Sequence, residues 1–305
     1  PEEARDILAT ALAALKIKVK EKHRTEYLLF LGENEIQAIT DICHTHWDEL
    51  EKATKAAADQ KKKSSRQASL PKELVNEIQD KLDGGKAADL ALFGRMLADI
   101  PQKNIDAASQ VAHAISTHAV GVEFDFYTAV DDLKDPTDPE EEEGAGAGMM
   151  GTIEFNSACY YRYSNVHVPQ LLENLQGDSQ LAKATIEAFI RASVTAIPTG
   201  KQNSFAAHNP PAFVLAVVRK GQPISLANAF EKPVSVRPNQ SLVVQSIQAL
   251  DTHWGHLTKA YGTNGIIAKN ATRVGPEPPL RNLGIEPVPL QQLITNTLDA
   301  IQPQE

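Results

Sequence analysis

The chain has 305 residues, 42% apolar and 23% charged, with a formal net charge of −9. That composition can bury the core of one large domain or two modest ones and excludes an intrinsically disordered polymer. No apolar run approaches the roughly 18–20 residues that span a bilayer, and Pro1-Glu2-Glu3-Ala4-Arg5 lacks the basic and apolar parts of a secretory leader, so a soluble, cytoplasmic protein is expected.

Net charge alone argues against a nucleic-acid partner, which needs clustered Lys and Arg. Its distribution removes that objection. Ten acids and one base, Lys134, lie between Glu123 and Glu143, so this stretch carries the whole −9 and the rest of the chain is neutral. Salt screening would leave a basic groove elsewhere largely unaffected. Cys43 and Cys159 are too few and too far apart for a disulfide framework or a four-ligand zinc site, and read as reduced, buried thiols.

Taken in order, Pro1 to Lys20 has helical spacing of Ile7, Leu8, Leu12, Leu15 and Ile17. Tyr27 to Leu31 fits either a strand or a buried helical turn. Glu35 to Ala58 is again helical, the basic run Lys61 to Arg66 reads as a solvated loop, and a helix after Pro71 stops at Gly84-Gly85. From Val111 the period shortens to that of strands: Val111, His113, Ile115 and Thr117, then Val120, Val122, Phe124 and Phe126. A breaker stretch from Asp131 to Gly151 separates this run from a second alternating run that starts at Ile153, which predicts two strands joined by a projecting arm. Helices from Asp178 to Ala196 and from Ser241 to Tyr261, a strand from Ala212 to Val218, a Pro-rich stretch and a terminal helix complete an α+β order with a mainly antiparallel sheet.

Motifs for catalysis or cofactors are absent. Gly146 to Gly151 matches G-x-G-x-x-G by letter, but four glutamates precede it and a strand-like run follows, the reverse of the strand-then-helix context that binds pyrophosphate. His44 with His46, and His113 with His118, are spaced to face opposite ways, and His253 with His256 lacks a third ligand. Asp131-Asp132 reads as a turn rather than a metal-binding pair. No cofactor or metal is expected. The Phe124 to Thr128 run entering the arm and Met149-Met150 returning from it offer rings and thioethers that can stack on bases of any sequence.

Gly94-Arg95-Met96, Ala112 to His118, Tyr127 to Leu133, Gly151 to Phe155, Tyr160 to Tyr163, Lys201-Gln202, Asn209-Pro210 and Ala227 to Lys232 occur in this order. On these motifs the chain resembles the CasC family, the backbone subunit of the type I-E CRISPR surveillance complex Cascade. The match is good over Leu92 to Gly265, and rests mainly on helical character before that. The resemblance implies an RRM-like (ferredoxin-like) palm, a helical fingers insertion and a β-hairpin thumb. Here these correspond to fingers at residues 1–92, palm at 93–127, thumb at 128–152, and the rest of the palm with a C-terminal helix at 153–305.

It further implies a non-catalytic scaffold. In the family, six copies stack along one CRISPR RNA beside other Cascade subunits, and thumbs kink the strand so that the intervening bases pair with target DNA. Base-wedging positions carry over to Met96, Tyr127 and Met150, with Phe126 and Thr128 adjoining, while Arg95, Arg162 and Lys201 are candidate phosphate contacts. Two departures stand out. Family chains open with a palm strand and a basic segment that would precede Pro1, so that part is expected to be missing from this chain. The thumb section Lys134 to Gly148 is longer and more acidic, and is expected to be mobile and turned away from phosphate. The rival reading is an RRM-like RNA-processing endonuclease using His113 or His118 as general acid or base. A protein-interaction module built on the fingers helices is a third.

Overall fold

The computed structural model describes residues 2–20, 24–59, 70–129, 149–235 and 239–301. The basic run Lys61 to Arg66, Asp131-Asp132, the acidic stretch Asp135 to Glu143 and Gly146 to Gly148 lie outside the described residues. In chain order the elements are helix α1 (Glu2–Ala14), strands β1 (Val19–Lys20) and β2 (Arg24–Thr25), and helices α2 (Glu33–Thr45), α3 (Trp47–Asp59), α4 (Lys72–Asp80) and α5 (Ala88–Phe93). Strands β3 (Ser109–Val111), β4 (Ile115–Ser116), β5 (Glu123–Ala129), β6 (Met149–Phe155), β7 (Tyr160–Tyr161) and β8 (Ser164–Val166) follow. Then come helices α6 (Val168–Asn174), α7 (Ser179–Thr195) and α8 (Gln202–Phe205), strand β9 (Phe213–Arg219), helix α9 (Leu242–Tyr261), strand β10 (Ile266–Arg273) and helix α10 (Leu290–Ala300).

These form two units: Pro1–Val111 with Ser164–Pro210 and Leu298–Glu305, and Ala112–Tyr163 with Pro211–Thr297. In the first unit, Ile7, Leu15, Ile17, Ile39, Leu50, Leu74, Ile78, Leu82, Leu97 and Ile100 make one buried cluster. A second cluster gathers Leu92, Ala108, Leu171, Leu175 and Ile186. Helix α1 is shorter than its apolar spacing predicts, because the chain turns at Lys16 (φ 58°) after Ala14, yet Ile17 still reaches the core. The helix expected over Glu35 to Ala58 is two, broken at His46 (φ −106°, ψ 28°). Tyr27 to Leu31 is neither strand nor helix: Leu29 and Leu31 pack on the core while Leu28 and Phe30 face out. Asp178 caps α7 by accepting the Leu181 N–H at 3.0 Å, matching the predicted start.

In the second unit, β9 and β10 form an antiparallel ladder from Arg219↔Ile266 to Phe213↔Arg273. Phe213, Leu215 and Val217, alternate residues of β9, pack against the cluster of Leu226, Phe230, Leu250, Trp254, Ala271 and Leu283, which α9 helps to build. The alternating run from Val111 is not one strand: β3 pairs with β8, and β4 separately with β7. Among the described residues the ladders are two-stranded and antiparallel, in a mixed α/β fold. No described helix is long and apolar enough to cross a membrane.

Candidate nucleic-acid interface

Met96 is presented outward by its neighbours. Helix α5 ends at Gly94 (φ 76°, ψ 175°), a conformation that only glycine adopts readily, and Arg95 then bridges Ile105 through both of its backbone groups, at 2.9 Å each. The Arg95 side chain turns inward. Its Nη1 donates to both Glu35 oxygens, at 2.9 and 2.7 Å, and the paired side chains are 1% and 0% exposed. The same carboxylate accepts the N–H groups of Gly32 at 2.9 Å and Gly84 at 2.8 Å, so it fastens the start of α2 to the turn after α4. Leu97 also points inward, 2% exposed, which leaves Met96 between two anchors and 81% exposed. Arg95 therefore differs from the expected phosphate contact: its guanidinium is buried against Glu35 and cannot meet a phosphate in solvent. Glu35 escaped the sequence reading, although its place three residues after the helix-capping Gly32 is capping-box spacing.

The predicted arm has a β-hairpin at its base. β5 and β6 pair from Glu123↔Phe155 to Ala129↔Met149. The register sets Phe124 and Phe126 on one face and Tyr127 on the other, opposite Gly151. Phe124 is 61% exposed, Phe126 78% and Tyr127 42%, and neither strand supplies a residue to any of the three core clusters. Burial of such a side chain is worth about 1.5–3 kcal/mol, which these rings forgo. Gly151 makes room for Tyr127: a Cβ there would lie 2.6 Å from the Tyr127 Oη and 2.7 Å from its Cζ. Thr128 pairs with Met150 one step along the ladder, where only the backbone is described. The ladder thus brings Phe126, Tyr127, Thr128 and Met150 together on one hairpin.

The other basic candidates are held separately. Arg162 is exposed, just after β7. Lys201 is exposed and left-handed (φ 57°) at the start of α8, in a loop that Gln202 ties by donating to the Pro198 carbonyl at 2.8 Å and accepting the Ala207 N–H at 3.0 Å. His113 is exposed. His118 Nε2 accepts the Cys159 N–H at 3.2 Å, which places the ring proton on Nδ1, bonded to the Ala119 carbonyl at 2.8 Å. In this conformation both His118 nitrogens are hydrogen-bonded to backbone groups. Among the described residues no cluster of three His, Cys, Asp or Glu residues could hold a metal ion.

One solved chain, from a structure titled "CRISPR RNA-guided surveillance complex, pre-nicking", is 30% identical with a TM-score of 0.76; the alignment covers 98% of this chain and 77% of that one. Another, titled "CRISPR RNA-guided surveillance complex", is 35% identical with a TM-score of 0.60 over 70% of this chain and 78% of that one. No curated protein matches. The family described as CT1975-like protein matches residues 1–295, and the chain belongs to that family.

Proposed function

We propose that the chain is a non-catalytic, RNA-binding backbone subunit of a CRISPR RNA-guided surveillance complex of the type I-E Cascade kind, acting in the cytoplasm. On this reading, copies of the chain stack along one CRISPR RNA beside the other subunits. A thumb built on β5 and β6 kinks the strand, and an RRM-like palm holds its backbone, so that exposed bases pair with target DNA. Pairing supplies the sequence specificity and the protein reads shape. The likeness to surveillance-complex chains supports the setting. The observation that carries the role is the hairpin itself, whose exposed rings at Phe124, Phe126 and Tyr127 belong to no core and suit stacking on bases.

The test is the purified protein with precursor CRISPR RNA. Stoichiometric protection of the RNA, helical arrays in electron micrographs and affinity that falls steeply with salt are expected. Tyr127→Ala should weaken binding by about 1–3 kcal/mol without lowering the melting temperature. Turnover of the RNA that depends on His113 or His118 would overturn the reading in favour of a nuclease.

A further inference from the structure

We infer that Glu35, through its buried ion pair with Arg95, is the positioning residue that holds Met96 outward for contact with a nucleotide base. The inference rests on the RNA-scaffold reading above and deepens it. Met96 itself makes no anchoring contact: it is 81% exposed, and its direction is set by what its two neighbours do. Leu97 is fixed by apolar burial, which is non-directional. Arg95 is fixed by a directional pair, with one nitrogen shared between both oxygens of a carboxylate that two backbone N–H groups hold in place. The guanidinium also reaches the carbonyls of Phe30 and Lys103, both at 3.4 Å, so one side chain ties together the segment before α2, the segment after α5 and the turn near Lys103.

An apolar cluster could stabilise these segments equally well, since a buried ion pair is a poor source of net stability. What the pair adds is direction. It fixes the inward turn at residue 95, and alternation along extended chain then sends residue 96 outward. Without the carboxylate charge, Arg95 would have every reason to leave the interior for water, and the loop would rotate with it. Met96 would then lose its aim while remaining intact.

A double-mutant cycle separates aiming from general stabilisation. Binding of a fluorescein-labelled CRISPR RNA transcript to the whole chain is measured for wild type, Met96→Ala, Glu35→Gln and the double variant, well below their melting temperatures. Glu35→Asp, which keeps the charge but shortens the side chain, serves as a second variant should Glu35→Gln fold poorly. The expected result is an affinity loss of about tenfold for either single change, and little further loss on adding Glu35→Gln to Met96→Ala. An undiminished Glu35→Gln penalty in the Met96→Ala background, or a lower melting temperature with unchanged affinity, would reduce Glu35 to a structural residue and overturn the inference. Unchanged affinity for Met96→Ala alone would instead remove Met96 from the scaffold reading itself.

Discussion

Gly94→Ala tests whether the backbone before Met96 is as constrained as it looks. At φ 76° and ψ 175° an L side chain carries a dihedral penalty of about 1–3 kcal/mol. A second penalty comes from contact: the new Cβ would lie 2.6 Å from the Ile105 carbonyl oxygen and 3.0 Å from the Ala107 nitrogen. Those are backbone atoms, and Ile105 is locked to Arg95 by hydrogen bonds in both directions, so no flexible side chain can yield. Together the two effects should cost about 3–5 kcal/mol, in the tail of single-substitution effects. Gly177→Ala is the control, with φ at 78° and nothing within 4 Å of the added methyl, so it carries the dihedral penalty alone. The chain provides its own reporters, since Trp47 packs on the first unit's core and Trp254 lies in the second unit's. In a Trp254→Phe background, Trp47 fluorescence follows the first unit. At about 2–4 °C per kcal/mol, Gly94→Ala should lower its transition by roughly 6–20 °C, and Gly177→Ala by clearly less. Equal shifts for the two variants would show that the contact with Ile105 is not formed, and the account of how Met96 is presented would fail with it.

The two thiols should differ sharply. Burial pushes the Cys43 thiol up, so Ellman's reagent should modify half-buried Cys159 first and Cys43 only on unfolding, and peptide mapping that found Cys43 labelled first would contradict the packing of α2. The Asp178 carboxyl is held below its usual value, chiefly by the Leu181 N–H and also by Lys86 at 3.3 Å. A depressed carboxyl contributes stability above its unfolded value and loses it as pH falls through the folded one. Asp178→Asn, which keeps the cap but not the charge, should therefore melt lower than wild type near neutral pH, with the difference closing below about pH 4; a difference independent of pH would show that the lost charge is not its cause.

Long elements with strong local signals were legible. The caps at Asp178 and Ser241 and the apolar stripes behind them place α7 and α9 to within a residue of where they lie. The hairpin was legible in part: β5 overlaps the first alternating run, while β6 begins at Met149 inside the expected breaker stretch and meets the second run only from Ile153 to Phe155. Strand β10 was not, because Ile266-Ile267-Ala268-Lys269-Asn270-Ala271-Thr272-Arg273 has little apolar alternation and is a strand only because β9 supplies its partner. Arg95 was misread for a related reason. A lone arginine beside a candidate wedge looks like a phosphate ligand, and its buried partner Glu35 lies 60 residues away, a separation that no local pattern reveals. Asp251 was invisible in the same way: buried in α9, it accepts the N–H groups of Asn282 and Leu283 and so fixes the Pro-rich stretch from a distance.

Met96 and the β5–β6 rings, two of the places where the described residues expose apolar side chains, are held by different means, and under the proposed scaffold role that bears on what each would contribute to binding. Met96 stands on a loop whose freedom is removed by a glycine-only turn, a buried ion pair and the burial of Leu97. Its orientation is settled during folding, so under the proposed scaffold role a base meeting it would have little further ordering to impose, and most of the contact energy would be available as affinity. The β5–β6 rings stand on a two-stranded ladder whose described residues belong to none of the three core clusters, and a two-stranded hairpin by itself is marginal. Under the same proposal, any further ordering of those rings on binding would subtract its cost from what stacking returns. On that proposal the Met96 contact is set in advance, while the hairpin contact depends on how much order its rings gain on binding.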